Sequence, residues 1–211
     1  SGVIDKLGVG AEKGRIINKV QHFCTKEELK DFIDRCGRLG IAYLMIRGFS
    51  IGISDLDISA EAHKKVAEQI AGAEKEANAL IMQYGSDQLK MLPGMTKKES
   101  LEAQIMNALS SGVSRVSEII SENIRKSDIL SMIESGSKGS LINTTQMAAV
   151  VGQETILGKR IKRGYINRTL PHIRPGDLSP LAHGFVRHGF KQGLTPFELF
   201  WNIMNGREGL M

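Results

Sequence analysis

Cysteine is scarce in this 211-residue chain: Cys24 and Cys36 are the only two, twelve positions apart, with neither a CxxC pair nor a histidine at ligand spacing. That argues against a disulfide framework or a zinc knuckle. Two reduced, partly buried thiols in a reducing compartment are expected. Long apolar runs are also missing. No stretch approaches the ~18 consecutive apolar residues of a membrane span, and no secretory-signal pattern opens the sequence. The glycines of GVGAEKG (Gly8, Gly10, Gly14) have neither a GK[ST] ending nor a βαβ frame, so they do not make a phosphate loop. His172, His183 and His188 share no helix face and have no cysteine or carboxylate beside them, so hydrogen-bonding or surface histidines are expected and no metal site. Asp55 and Asp57 are expected ahead of a helix, complementing its N-terminal dipole. With no nucleophile–base pair and no metal cluster, the chain is not read as an independent enzyme.

What is present is mostly helical periodicity. The chain is 41% hydrophobic, enough to bury a core. Thr25 and Glu28 form a capping box ahead of Leu29, Phe32, Ile33 and Cys36 on one face, with Gly37 and Gly40 expected to end that helix. Ile41–Ile46 is a compact apolar run, helix or strand. From Ser59 to Tyr84, Ala62, Val66, Ile70, Ala73, Ala77, Ile81 and Tyr84 recur at spacings of three and four. At 1.5 Å per residue this is a rod of about 40 Å. After Pro93-Gly94, a second capping box (Thr96, Glu99) starts another long helix whose face is Leu101, Ile105, Leu109, Val113, Val116, Ile120 and Ile124. Two long helices joined by a short loop pack as an antiparallel hairpin. A short helix from Ser127-Asp128 to Glu134 follows. The expected fold is mainly α: a long antiparallel helical hairpin with small flanking irregular or α+β segments.

The chain is organised around residues 135–153, SGSKGSLINTTQMAAVVGQ. Gly136 and Gly139 flank Lys138 in a small-residue turn whose backbone can approach a ligand. Leu141–Val151 reads as a buried helix on which Asn143, Thr144, Thr145 and Gln146 must find partners. Positive charge concentrates beyond it. Residues 155–211 hold nine Lys and Arg against three Asp and Glu, while the rest holds nineteen against twenty. In GKRIKRGYINRTLPHIRPGD, strand-like alternation would send Ile161, Tyr165, Ile166 and Leu170 inward and the basic residues outward, toward phosphate groups. Thr195-Pro196-Phe197-Glu198 caps a last helix, Phe197–Met204, which Asn205-Gly206 is expected to break.

Read together and in order, a set of short segments points to one family: GFSIGI (48–53), PGMT (93–96) with Glu99, SGSKGS (135–140), Ile142-Asn143 with Gln146, VGQ (151–153), GKRI (158–161), RTLPH (168–172), GFV (184–186), GLTP (193–196) and GREGL (206–210). They resemble the largest subunit of multisubunit DNA-directed RNA polymerases, and RGYINRTLPHIRPGD is closest to the archaeal form. The resemblance runs over nearly all of residues 40–210. It departs from the family pattern at Glu154, where a second glutamine is usual, and at Asn202 and Asn205, where histidine and glycine are usual.

The resemblance implies a fragment of a nucleotidyltransferase: the end of the pore domain (1–57), the funnel domain (58–165), and the start of the cleft domain (166–211) leading to the bridge helix. The funnel would line a secondary channel admitting nucleoside triphosphates (NTP), passing the 3′ end of backtracked RNA and docking a transcript-cleavage factor. Lys138, Arg160 and Arg163 would face NTP or RNA, and Gln153, Glu154, Arg207 and Glu208 would support the bridge helix. No catalytic aspartates are present, so the fragment would be inactive alone and would bind no cofactor, Mg belonging to the complete enzyme. Implied partners are the other polymerase subunits, the cleavage factor, NTP, RNA and DNA, with no membrane. The location would be cytoplasmic if archaeal-like and nuclear if eukaryotic. The alternative is a free-standing helical nucleic-acid-binding module.

Overall fold

A computed structural model describes residues 8, 14–124, 128–162 and 164–211. The chain divides into two compact units, Ser1–Asp55 with Ile124–Ser140, and Leu56–Asn123 with Leu141–Met211. The described helices are α1 (Arg15–Phe23), α2 (Lys26–Arg47), α3 (Ala60–Gly85), α4 (Lys97–Asn123), α5 (Asp128–Glu134), α6 (Leu141–Ala148) and α7 (Pro196–Leu210). The strands are β1 (Gly152–Gln153), β2 (Thr155–Ile156), β3 (Lys159–Arg160) and β4 (Phe185–Val186). The fold is mainly α, as the helical periodicity predicts. Most of the GVGAEKG segment lies outside the described residues.

In the first unit the Thr25 hydroxyl accepts the Glu28 N–H at 3.3 Å and the Glu28 carboxylate accepts the Thr25 N–H at 2.8 Å, starting α2 as expected. The expected stop is wrong. α2 runs through Gly37 and Gly40, takes in Ile41–Ile46, and ends at Gly48 with φ 73. An interior glycine costs a helix only about 1 kcal/mol relative to alanine, whereas a positive φ ends it. No residue of α2 is buried, so Cys36, like Cys24, is an exposed free thiol rather than a partly buried one. The Arg47 guanidinium meets Asp128 at 3.0 Å, tying the end of α2 to the start of α5. Hydrogen bonds from Arg47 and from the Ser50 N–H hold the Asp128 carboxyl below its ordinary pKa.

The second unit is built on the hairpin of α3 and α4. Its register follows the apolar spacing. Ala62, Val66, Ala73 and Ala77 of α3 are buried against Leu101, Ile105, Leu109, Val116 and Ile120 of α4. Small residues on one helix facing large ones on the other let the backbones approach closely. The approach is close at Gly112, where an added Cβ would stand 2.6 Å from the Ala73 Cβ. Both starts are capped: the Ser59 hydroxyl accepts the Ala62 N–H at 3.2 Å, and Thr96 with Glu99 completes the second capping box. Between the helices, Pro93-Gly94 turns with Gly94 at φ 74 and the Met95 N–H on the Leu92 carbonyl.

The run after α4 behaves differently from its expected form. α6 stops at Ala148, and Ala149, Val150 and Val151 are buried but not helical. The Val151 N–H bonds the His188 carbonyl at 3.1 Å, and Gly152, at φ 95, turns the chain into β1. β1 pairs antiparallel with β4, and β2 with β3. Strand alternation then joins two cores. Phe185 packs into the hairpin cluster with Ala73, Leu101 and Ile105, while Val186 packs with Val151, Ile161 and Trp201. Of the polar residues of α6, Thr145 is fully buried, and its hydroxyl contacts the Leu141 carbonyl at 2.9 Å and the Ser117 hydroxyl at 3.0 Å.

α7 likewise does not break at Asn205-Gly206 but continues to Leu210. The reason is visible on its inner face, where Asn205 is held by a buried partner described below.

Candidate functional site

Two of the expected support residues, Glu154 and Glu208, each tie the 154–157 segment to α7. Glu154, between β1 and β2, is 4% exposed. Its Oε1 accepts from Asn202 Nδ2 at 2.8 Å and its Oε2 from Asn205 Nδ2. One turn further along α7, Glu208 Oε1 accepts the Leu157 N–H at 2.5 Å. Positions 202, 205 and 208 are three apart, so they lie on one face of the helix. Leu157 and Gly158, both at positive φ (51 and 69), form the two-residue turn of the β2–β3 hairpin. The Glu208 bond anchors that turn. Gln153 faces the other way, its Nε2 donating to the His183 and Glu154 carbonyls, both at 2.8 Å. Arg207 is exposed on α7.

Among the described residues, the two amides are Glu154's only side-chain hydrogen-bond partners, and neither is a cation. Burial raises its pKa above the ordinary 4.5, and the two amide bonds offset this only in part. As pH rises from that ordinary value through the raised folded one, the unfolded chain loses its proton first, so this group's contribution to stability falls. Glu154→Gln is therefore expected to gain stability relative to wild type across that window and to hold the gain at higher pH. Thermal unfolding of both proteins as a function of pH measures the difference. A constant offset at every pH contradicts the assignment.

Glu198, at 1% exposure, shows the opposite balance. Burial would raise its pKa, but bonds from Thr195, His188 and the Arg187 N–H outweigh that and hold it low. This carboxylate caps α7 and anchors the 187–188 segment in one move.

The basic segment folds inward. Arg160 is buried at 2% exposure, where alternation would place it outside. Its Nη2 donates to the Leu178 and Ser179 carbonyls at 2.9 and 3.0 Å, and its Nη1 lies 3.7 Å from Glu102 of α4. Burial lowers the Arg160 pKa, and Glu102 and Asp177 oppose the shift. Tyr165 and Ile166, expected inside, are exposed. The strand ends at Arg160, and a turn closed by the Tyr165–Arg168 bridge replaces the alternation. Other cations of this quarter are also paired within the unit: Lys162 with Glu102, Arg187 with Glu74, and Lys191 with Asp57. Charge segregated along the sequence is thus partly neutralised by folding.

Lys138 is exposed in its turn, with Gly136 at φ 72 and Gly139 at φ 80. It belongs to the first unit, and Gln153, Glu154, Arg160, Arg207 and Glu208 to the second. Arg163 lies outside the described residues. Asp55 and Asp57 lie ahead of α3, whose cap is Ser59, and their carboxylates have other partners: Asp55 accepts the Gly52 N–H at 2.8 Å, and Asp57 pairs with Lys191. Among the histidines, His183 bonds two carbonyls, His188 bonds Glu198, and His172 stacks on Phe197 with ring centres 3.8 Å apart. No cluster of three or more metal-ligating residues, and no helix long and apolar enough to cross a membrane, occurs among the described residues.

Sequence reasoning passed over Asn202 and Asn205 as functional residues. Their signal was the 202/205/208 spacing, which counts only once α7 is known to continue past Gly206.

Residues 81–186 match the family described as RNA polymerase Rpb1, domain 4, and residues 1–56 match RNA polymerase Rpb1, domain 3. Similar proteins include DNA-directed RNA polymerase subunit Rpo1N of Halococcus morrhuae, 42% identical over 100% of this chain and 60% of its own length. The same subunit of Methanocaldococcus jannaschii is 40% identical over 100% of this chain and 16% of its own. That of Thermococcus celer is 39% identical over 100% of this chain and 23% of its own. The chain thus spans between 16% and 60% of the length of these relatives.

Proposed function

The chain belongs to the family of the RNA polymerase largest subunit, Rpb1, and from that premise we propose that it works in DNA-templated transcription as a wall of the polymerase's secondary channel. Residues 1–57 are the end of the pore domain, 58–165 the funnel, and 166–211 the start of the cleft domain leading into the bridge helix. The α3–α4 hairpin borders the channel through which NTP reaches the active site and the 3′ end of backtracked RNA leaves, and it offers a rim to a transcript-cleavage factor. The catalytic aspartates, their Mg and the DNA belong to the complete enzyme with its other subunits. In an archaeal-like cell that assembly is cytoplasmic.

The observation that supports this reading best is the attachment to α7 of the β1–β2 loop through Glu154 and of the β2–β3 turn through Glu208. A loop fixed to the inner face of the last helix is what bracing a mobile helix requires. Gln153 extends the brace to His183, and Arg207 presents its charge outward. Lys138 is the exposed cation for NTP or RNA phosphates. Arg160, buried and bonded to two carbonyls, serves this function by holding the wall together. The internal pairing of Arg160, Lys162, Arg187 and Lys191 also removes much of the basic patch that a free-standing nucleic-acid-binding module would need.

The test uses a polymerase assembled with this chain. Lys138→Ala is expected to raise the KM for NTP, or to slow cleavage of backtracked RNA, by roughly tenfold, as loss of a charge-assisted hydrogen bond does. The effect should shrink as salt rises. Unchanged rates across the salt series would overturn the assignment of Lys138.

A further inference from the structure

We propose that Asn202 and Asn205 are positioning residues: with Glu154 they form a clasp that fixes the register of α7 on the β1–β2 loop. The inference rests on the channel-wall reading and names residues that it does not include. Three observations carry it. First, both oxygens of one buried carboxylate are taken by amides three residues apart on one helix, Asn202 at 2.8 Å and Asn205. Rotating or sliding α7 by one residue would break both contacts together. Second, the third position of the same face, Glu208, holds the Leu157 N–H of the adjoining β2–β3 turn at 2.5 Å, so the 154–157 segment is gripped along two turns of helix. Third, the clasp flanks the point where Trp201 and Met204 pack against Val151, Ile156 and Ile161. That apolar contact is non-directional and would tolerate sliding. The amide–carboxylate contacts are directional, so they select one register.

The structure joins all three residues in one contact. A glutamine at position 154 would have one acceptor oxygen for its side chain to offer, whereas the carboxylate has two. A glutamate here therefore matches two amide donors at 202 and 205. Asn202 and Asn205 act through Glu154 and the loop, and neither touches reacting atoms.

Two measurements test the clasp. In thermal and denaturant unfolding of the full chain, Glu154→Ala alone, Asn202→Ala with Asn205→Ala, and the triple variant form a cycle. The expected result is strong coupling, with the triple variant no less stable than Glu154→Ala alone. Each arm should shift the unfolding equilibrium roughly ten- to a hundredfold. Additive effects would overturn the proposal, and this arm needs no polymerase. In a polymerase assembled with the chain, Glu154→Ala and the double asparagine variant are expected to lower kcat for nucleotide addition on the order of tenfold, with KM little changed. Glu154→Gln should recover most of the rate, one asparagine turning its carbonyl toward the new amide. A change in KM alone, or no recovery by glutamine, would count against a positioning role. A polymerase inactive with the wild-type chain would instead count against the channel-wall reading and leave the unfolding cycle to decide the clasp.

Discussion

Arg160→Ala is expected to destabilise the second unit by about 3–5 kcal/mol, the range for removing one partner of a buried ion pair. The loss has two parts. The Leu178 and Ser179 carbonyls lose their guanidinium donor, and Glu102 on α4 keeps only Lys162, at 3.8 Å. Arg160→Lys should recover only part of the loss, because a single ammonium cannot span two carbonyls and a carboxylate as the planar fork does. Replacing both Arg160 and Glu102 with apolar residues of similar volume should come close to wild type, since the desolvation of both charges disappears with them. Denaturant unfolding of the four proteins measures this. A phosphate-facing Arg160 would behave differently: alanine would barely change stability but would alter the salt dependence of nucleotide or RNA binding.

Gly112→Ala is expected to destabilise the hairpin by about 1–3 kcal/mol, although alanine is the better helix former by about 1 kcal/mol. Steric overlap decides the sign. The new methyl would stand 2.6 Å from the Ala73 Cβ, a short, rigid group that cannot swing aside. Ala73→Gly removes that obstacle. The double variant Ala73→Gly/Gly112→Ala should therefore return close to wild type, the helix propensity gained on α4 balancing that lost on α3. Gly112→Leu has no such remedy and should unfold the unit at a markedly lower temperature. Equal stability of Gly112→Ala and wild type would mean that the two helices do not touch there.

These two sites also mark how far the sequence was readable. The hairpin was legible because its information is local. Apolar residues at spacings of three and four, with Ser59, Thr96 and Glu99 at the starts, dictate two helices and their facing stripes. Arg160 was not, because its environment is made by Glu102, fifty-eight positions earlier, and by carbonyls at 178 and 179. The same holds for the charge imbalance of residues 155–211: Glu74, Glu102 and Asp57 come from the other part of the chain and cancel some of it. Helix ends were misjudged at Gly37, Gly40 and Gly206 for a shared reason. A glycine weakens a helix without ending it, and only Gly48, with its positive φ, stops α2. At the candidate site, Gln153, Glu154 and Glu208 were legible only through family resemblance. Asn202 and Asn205 required the continuous α7, which brings three side chains spaced three apart onto one face.

The most direct measurement is to replace the matching segment of Rpo1N in a reconstituted archaeal polymerase with residues 1–211 and follow templated RNA synthesis on a defined scaffold. An assembled enzyme that extends RNA, and in which Lys138→Ala slows the release of backtracked transcripts by cleavage, is the expected result. An enzyme that assembles yet extends and cleaves RNA identically with or without the Lys138 charge and the Glu154 clasp would contradict the account.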